Sequence, residues 1–470
     1  MLGETGSGKT TLINTMINYN CGVKREDKVW FEITDDQNNT TSVHSQTSVI
    51  TVYGVYIQET SVDLTIIDTP GYGDTHGAEL DKKIAESLLH LCTTEDEINQ
   101  INAVCFVMKA EQNRLSDRQR YIFDAVQSLF GNDITKNIVL FFTHSDGLPP
   151  KNALTAVKEA KVKCAVDEKK NQPIYFLFNN CQGETLDEEQ TIQDQAWDLS
   201  FRGMERFFNF LDMIRPKTLQ MTQNVLKERK QLEGNISNLQ SRVKEKELKQ
   251  NKLKQTQNAL EKHKQEVQEN KNFEYEVEVS YKESVDIDRS VAYMAMCCTV
   301  CEENCHYPGC WWASNLSWCS VMKNYHCTVC TKKCHVSKHV KAAKIYVTKT
   351  KTETRTNEDL KKKYEDQIGD DVSLINMLEE ELQELEKEKI KLLNEAYHCV
   401  DVLQMMALNT YALFTLLHID FLIEKFKEIN EPEKFKALED IRKREGEGRK
   451  GALDYVKKMI HKKISKKLPS

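Results

Sequence analysis

Glycine and proline are scarce in this chain, 18 and 8 among 470 residues, about half the share of an average protein. With 29% of residues charged, that scarcity favours long helices over loops. An excess of positive charge is also missing. Sixty-five lysines and arginines face 72 aspartates and glutamates; the net charge of −7 argues against a nucleic-acid coat, so any basic function is local. Long apolar runs are absent too. The longest, Val402 to Ile419, contains Gln404, Asn409, Thr410, Thr415 and His418 and is followed by Asp420, which fits a buried helix better than a bilayer span. No basic stretch followed by an apolar one stands at the N-terminus, and Lys467, Leu468, Pro469 and Ser470 offer no cysteine for prenylation. The expected compartment is the cytoplasm, and at roughly 150 residues per domain about three structural units are expected.

From residue 1 to about 215, apolar β-branched runs alternate with helical patterns. Ser48 to Tyr56, Val62 to Ile67, Ala103 to Met108, Asn137 to Phe142 and Ile174 to Phe178 read as strands. Thr10 to Asn20, Ser116 to Leu129, Ala153 to Lys163 and Asp194 to Met213 read as helices, which gives an α/β domain with a mostly parallel sheet. Then a heptad begins, with Leu232, Leu239, Lys246, Leu253, Leu260 and Val267 at one seam position and Ile236, Val243, Gln250, Gln257 and Lys264 at the other, a coiled-coil arm with a polar distal half. A second heptad carries Leu378, Leu385, Leu392, Cys399 and Met406 with Ile375, Leu382, Lys389, Ala396 and Leu403. Between them lie two alternating segments, Phe273 to Tyr281 and Ala343 to Lys349, that read as strands. The expectation is an antiparallel hairpin of two coiled-coil arms, with the strands paired at its distal end and a cysteine module capping the tip. The same heptads would also serve two coiled coils that pair between chains.

Gly3, Glu4, Thr5, Gly6, Ser7, Gly8, Lys9 and Thr10 match the phosphate-loop pattern in full, and Thr11 continues it into a helix. Glycines let backbone N–H groups turn onto phosphates, Lys9 places a point charge on the β/γ oxygens, and the Thr10 hydroxyl ligates Mg²⁺. Asp68, Thr69, Pro70 and Gly71 follow the strand ending at Ile67; there Asp68 holds Mg²⁺ through water and the Gly71 N–H senses a γ-phosphate. Base choice rests on Thr143, His144, Ser145 and Asp146, because one carboxylate accepts both guanine donors, a pairing adenine cannot satisfy. Thr143 and His144 stand where Asn and Lys are usual. Asn179 and Asn180, after the strand ending at Phe178, flank the base.

Together GETGSGKT, DTPGYGD, THSD and FNN resemble the septin-related P-loop GTPases that include the immunity-associated (GIMAP) group and the chloroplast outer-envelope import GTPases. The resemblance covers about 1–215. It implies binding of GTP or GDP with Mg²⁺, a switch role, and pairing into a homo-oligomer through the G domain. It also puts the switch threonine at Thr47, within Ser45, Gln46 and Thr47, with Thr40 and Thr41 as competitors. On this reading Lys9, Thr47 and Gly71 carry catalysis. Tyr72 occupies the place where small GTPases carry a water-orienting glutamine, so hydrolysis is expected to be slow or to depend on a group supplied in trans. A P-loop normally hangs from a strand of about five or six residues. Only Met1 and Leu2 precede Gly3 here, so the first strand is expected to be missing.

Nine of the 15 cysteines fall between Cys297 and Cys334. In a reducing compartment they read as metal ligands. A repeat at a constant offset of 29 relates Cys298, Cys301, Cys305, His306 and Cys310 to Cys327, Cys330, Cys334, His335 and His339. Paired thiolates with imidazole suit structural Zn²⁺, so two zinc ions are expected, one per copy, with an iron–sulfur cluster as the competing reading. Trp311, Trp312 and Trp318 are expected to build the small module's core, or else to stack on a base or line a partner groove. From Arg442 onward 11 basic residues face three acids. Ala452, Val456, Met459, Ile460 and Ile464 recur at helical spacing, which suits an anionic membrane surface or a helix packed on its neighbours.

The resulting organisation is a P-loop GTPase domain at 1–215, a coiled-coil arm at 216–272, a β and Cys/His zinc module at 273–356, a second arm at 357–406 and a helical region with a basic tail at 407–470. Its expected function is a GTP-binding switch or scaffold that engages a protein partner through coiled coil and zinc tip. The alternative is a non-hydrolysing adaptor whose zinc module binds protein or nucleic acid.

Overall fold

The computed structural model describes residues 1–27, 29–32, 50–57, 62–72, 78–92, 98–111, 116–180, 190–262, 274–289, 292–307, 315–356, 371–446 and 450–465. Packing divides the chain into two units: Met1–Leu226 with Leu403–Leu417 and Asp440–Ser470, and Lys227–Val402 with His418–Glu439. The stretch 407–470, read from the sequence as one region, is therefore split between them.

In the first unit, β1 (Leu2–Gly3) leads through the P-loop into α1 (Lys9–Asn20), and β2 (Thr51–Ile57) pairs antiparallel with β3 (Val62–Asp68). There follow α2 (Ala78–Leu91), β4 (Val104–Lys109), α3 (Asp117–Gln127), β5 (Ile138–Thr143), α4 (Lys151–Glu159), β6 (Tyr175–Leu177) and α5 (Gln190–Met213). Strands β1, β4, β5 and β6 pair in that order, all parallel. Burial explains the topology. All six residues of β5 and the first five of β4 are buried, as a sheet covered on both faces requires. On one face Leu12, Ile13, Met16 and Ile17 of α1 and Met204, Phe207 and Phe210 of α5 close over Phe141 and Phe176. The Phe141 and Phe207 rings stand edge to face at 4.8 Å.

The first strand is short but present. Leu2 and Gly3 register against Phe106 and Val107, the Met1 ammonium donates to the Ile67 carbonyl at 2.7 Å, and the Thr69 hydroxyl donates to the Met1 carbonyl at 2.9 Å. These bonds also tie β3 beside β1. A capping box starts α3, where the Ser116 hydroxyl accepts from Gln119 N and the Gln119 side chain accepts from Ser116 N. Helix α2 is not among the helices expected from the sequence, although Leu80, Ile84, Leu88 and Leu91 recur there at helical spacing, and Ile84, Leu88 and Leu89 are buried.

The buried Asp124 carboxylate accepts from Asn409 Nδ2 and from Leu413 N, both at 2.8 Å, which anchors residues 403–417 to α3. A C-terminal helix, Lys450–Ser465, also packs on α3, with Ala452, Leu453 and Val456 buried and the Tyr121 and Tyr455 rings 5.8 Å apart. Two of the apolar positions that the sequence offers to a membrane, Ala452 and Val456, are thus covered by protein. Among the described residues no helix is long and apolar enough to cross a bilayer.

In the second unit, α6 (Gln220–Lys262) and α7 (Asp371–Met406) run antiparallel. Asn235 meets Cys399, Arg242 pairs with Glu388 at 3.2 Å, Lys246 pairs with Glu386, and Lys249 pairs with Glu381 at 3.2 Å. Seam residues Leu232, Ile236, Leu239, Leu385, Leu392, Ala396 and Cys399 are buried. Val243 and Leu253 are half-exposed, in keeping with a polar distal half. Lys389, at a seam position, is buried and reaches Glu428 at 3.1 Å on α8 (Leu413–Glu428).

Strands β7 (Glu274–Asp286) and β11 (Lys344–Thr356) pair antiparallel along their whole length, from Glu274 opposite Thr356 to Asp286 opposite Lys344. Glu274, Glu276 and Glu278 stand opposite Thr356, Thr354 and Thr352, and ion pairs across the ribbon join Lys349 to Glu283 and Lys344 to Asp286. Between them lies a small sheet in which β8 (Ala295–Cys298) sits centrally, flanked by β9 (Glu303–His306) and β10 (His339–Ala342).

The cysteine module does not cap the tip of the helical hairpin. It sits on the proximal part of α6. Asn238 Nδ2 donates to Val329 O at 3.2 Å, and Arg242 donates to Glu303 at 2.9 Å and to Thr331 at 3.1 Å. A Cβ at Gly234 would come within 2.8 Å of Val329 Cγ1, so only glycine admits this approach. The reason is the direction of β7. Glu278 N donates to Gln255 on the distal part of α6, and further along β7 Lys282 Nζ donates to Cys301 O in the module. The ribbon therefore returns along the helix and carries the module back with it.

Arg242 is the ionic centre of this seat, 13% exposed against 7% for Glu303. Arg242→Ala should cost about 3–5 kcal/mol in urea unfolding, because it leaves Glu303 buried without its cation. Lys249→Ala, at an exposed pair, should cost less than about 1 kcal/mol. Equal losses would show that the module does not depend on this seat.

Candidate functional site

The P-loop turns through left-handed Gly6 and Gly8, at φ 75° and 81°, and Gly8 caps α1. Lys9 is 7% exposed; its ammonium donates to Glu4 O at 3.0 Å and Gly3 O at 3.3 Å. Burial lowers its pKa to about 8, against the pull of Asp68 and Glu4. Asp68 is fully buried, and burial raises its pKa. Its Oδ2 accepts from Thr10 Oγ1 at 3.4 Å, whereas Oδ1 has no hydrogen-bond partner. A hydroxyl and a buried, half-satisfied carboxylate side by side fit a hard cation such as Mg²⁺.

Thr5 and Ser7 likewise hold buried hydroxyl oxygens without partners. Gly71 lies against Thr5, where an added Cβ would stand 2.5 Å from Thr5 Cα. Glu4 is paired with Arg118 at 3.2 Å, a contact the sequence does not signal. Tyr72 N donates to Gly3 O, and its side chain is buried at 1% exposure in the core. Thr47, with Ser45, Gln46, Thr40 and Thr41, lies outside the described residues.

The loop after β5 closes on the P-loop. Thr143 Oγ1 donates to Ser7 O at 2.7 Å and His144 Nδ1 lies 3.1 Å from Thr143 Oγ1. Thr143, which the motif comparison marks as a departure, is thus the tether between the two loops. His144 holds a left-handed φ of 53°, and burial lowers its pKa. Ser145 N donates to Phe178 O, and exposed Asp146 accepts from Leu148 N at 2.8 Å. Asn179 N and O both bond to Ser200 Oγ, and Asn180 Oδ1 accepts from Thr15 and Ser200 while its Nδ2 is buried without a partner. Ser200 and Thr15 carry no sequence signal; only their places on α5 and α1 reveal them. Residues 3–11, 68–71, 143–146 and 179–180 therefore gather at one end of the parallel sheet. The Thr11 carbonyl accepts from Thr15 Oγ1.

The cysteine module holds two candidate ligand groups: Cys298, Cys301, Cys330 and Cys334, and Cys305, Cys327, Cys330 and His339. Within each group the ligand atoms lie within 4.8 Å of one another. The expectation of one metal per repeat copy is overturned, because each group takes residues from both copies. Strand register brings the two copies side by side, since Cys298 of the first stands directly opposite His339 of the second, although these two residues fall in different groups. His306 lies outside both groups, with Nδ1 3.0 Å from Cys319 Sγ. His335 is exposed beside Ser337. Cys310, Trp311 and Trp312 lie outside the described residues, and Trp318 is 61% exposed instead of filling a core.

A lysine whose pKa falls on folding opposes folding while it is protonated. For Lys9 that penalty is full below about pH 8 and is relieved as the pH rises toward 10.5. Lys9→Met should therefore stabilise the nucleotide-free chain at pH 7 by up to about 3 kcal/mol, a gain that disappears above pH 10.5. Urea unfolding at both pH values reads it; a variant less stable than wild type at pH 7 would contradict the assigned burial penalty.

Residues 1–197 match the model of the AIG1 family. The septin homolog spn1 of Schizosaccharomyces pombe is 34% identical over 74 residues, which are 16% of this chain and 15% of that protein, so the match spans a small part of this relative's length. Among solved structures, Toc33 from Arabidopsis thaliana in complex with GDP and Mg²⁺ is 14% identical, covering 46% of this chain and 83% of its own, with a TM-score of 0.32. The same protein with Mg²⁺ and GMPPNP gives 15%, 46%, 83% and 0.31. The resemblance read from the four motifs and the family match agree on one stretch: residues 1–197 are similar to the AIG1 family.

Proposed function

We propose that the N-terminal unit binds GTP and GDP with Mg²⁺ and works as a nucleotide-dependent switch. One observation carries this reading: the tether from Thr143 to Ser7 joins the loop bearing Asp146 to the P-loop, so a guanine-reading carboxylate and a phosphate cradle share one sheet end. Lys9 meets the β/γ oxygens, and the N–H groups of Thr5 to Thr10 line the phosphates. Thr10 and Asp68 hold Mg²⁺, which when bound neutralises charge on the transferred phosphoryl group. Asp146 accepts the guanine donors, while Asn179 and Asn180 flank the base.

Hydrolysis is slow in this proposal, because the position that would orient water is Tyr72, whose side chain belongs to the core. Pairing of G domains, or a partner, would supply the missing group. The second unit contributes the antiparallel helices and a module holding structural zinc as docking surface for a protein partner. A reducing, cytoplasmic setting suits its thiols.

Asp146→Asn should lower GTP affinity at least about a hundredfold, since two charge-assisted bonds are lost, and should raise preference for xanthosine nucleotides. Lys9→Ala should abolish binding of both. Competition assays check this; equal affinity of the wild-type chain for ATP and GTP would refute the guanine assignment.

A further inference from the structure

The two ligand groups of the cysteine module have a consequence that a repeat of two separate zinc knuckles does not. Among the described residues seven side chains are present where two independent tetrahedral sites need eight, and Cys330 belongs to both groups. We propose that Cys330 is a bridging thiolate in a two-zinc cluster. Cys298, Cys301 and Cys334 complete one tetrahedron around it, and Cys305, Cys327 and His339 complete the other. This rests on the zinc reading above and specifies its architecture.

The geometry supports both tetrahedra. A tetrahedral site with Zn–S bonds of about 2.3 Å has S···S edges of about 3.8 Å, and Cys301 Sγ lies 3.8 Å from Cys334 Sγ. Backbone N–H groups already point at the sulfurs that would carry negative charge. Cys301 N reaches Cys298 Sγ at 3.3 Å, Cys330 N reaches Cys327 Sγ at 3.3 Å, Val329 N reaches the same sulfur at 3.3 Å, and Cys334 N reaches Cys330 Sγ at 3.2 Å. Such bonds stabilise thiolates and orient them.

The single imidazole is prepared in the same way. His339 Nδ1 lies 3.1 Å from the His335 carbonyl, to which it can donate, and buried Nε2 has no hydrogen-bond partner. That arrangement fixes the tautomer and leaves Nε2 for a metal. Six thiolates and two Zn²⁺ leave the cluster with a charge of −2, and two ammonium groups hold its rim. Lys282 Nζ donates to Cys301 O at 2.7 Å, and Lys333 Nζ donates to Thr328 O at 2.6 Å while its charge is shared with Glu395 at 2.6 Å. The bridge also explains why the duplicated motif is not two copies of one site: the shared sulfur comes from the second copy, and each metal borrows from the first.

The test uses the full chain produced in zinc-supplemented medium. Elemental analysis should give two zinc ions per chain, and X-ray absorption at the zinc edge should show a zinc–zinc vector shorter than about 4.6 Å, twice the Zn–S distance. Cys310→Ser should keep both ions and the vector. Cys330→Ala should abolish the vector and lower the zinc content, while Cys297→Ser, outside both groups, should do neither. Two zinc ions without the vector, one ion only, or loss of a metal in Cys310→Ser would overturn the bridge while leaving zinc binding intact. Iron in place of zinc, or no metal at all, would instead overturn the zinc reading on which it stands.

Discussion

A buried ammonium group governs the N-terminal unit. Lys9 is held under the P-loop by two carbonyls of its own loop, with a carboxylate nearby that is itself buried and half-satisfied. Strand ends supply this arrangement: β1 and β5 of the parallel sheet bring Gly3 and Thr143, whose hydroxyl closes the loop from the other side, and β3, paired antiparallel with β2, ends at Asp68. Each strand end delivers one polar group to a place where water is largely excluded. Charges in such a place are costly until an anion and a cation arrive together, and in the proposed function that cost couples the fold to a phosphate ligand.

The second unit solves a different problem with similar means. Its module is too small for a large apolar core, and much of what it buries is sulfur: Cys298, Cys305, Cys327 and Cys330 surround Val321, Val329 and Met296. Without metal that interior would be a cluster of buried thiols; with metal it becomes a set of strong bonds. The seat on α6 through Gly234, Asn238 and Arg242 then fixes the module on the helix pair, and the long β7–β11 ribbon lies between module and distal helix. Trp318 and Tyr325 remain exposed on this module.

Short motifs fastened to strand ends were legible in the sequence, because their spacing and their chemistry are both local. The P-loop, Asp68, Asp146 and Asn180 all fall at one sheet end for that reason. The strands β4 and β5 were equally plain, since doubly covered strands are continuous apolar runs. Interactions set by tertiary return were not legible. Alternation in Phe273 to Tyr281 announces a strand but not that it runs back along α6, so the module was expected at the tip. The offset of 29 announces duplication but not that Cys330 would serve both ligand groups. Thr143 read as a weak substitute for asparagine, whereas its hydroxyl is the tether to Ser7. The contacts of Ser200 and Arg118 have no periodic or motif signal at all, whereas helix α2 carries one in Leu80, Ile84, Leu88 and Leu91 that the expected helices left out. The heptads announced both helices, because seam residues such as Leu239 and Leu392 repeat locally, but left open whether they pair within the chain or between chains, and the buried Lys389 is explained only by Glu428 from a distant segment.

The central claim is that Lys9 is buried in anticipation of a phosphate, and proton linkage measures it directly. Calorimetric titration of the full chain with GTP and Mg²⁺ at pH 8.5, in two buffers of different ionisation enthalpy, reports protons exchanged on binding. With Lys9 near pKa 8 when no ligand is bound, binding should take up a substantial fraction of a proton as the phosphate restores the ammonium. Binding with no proton uptake at that pH, or no binding of GTP at all, would contradict the account.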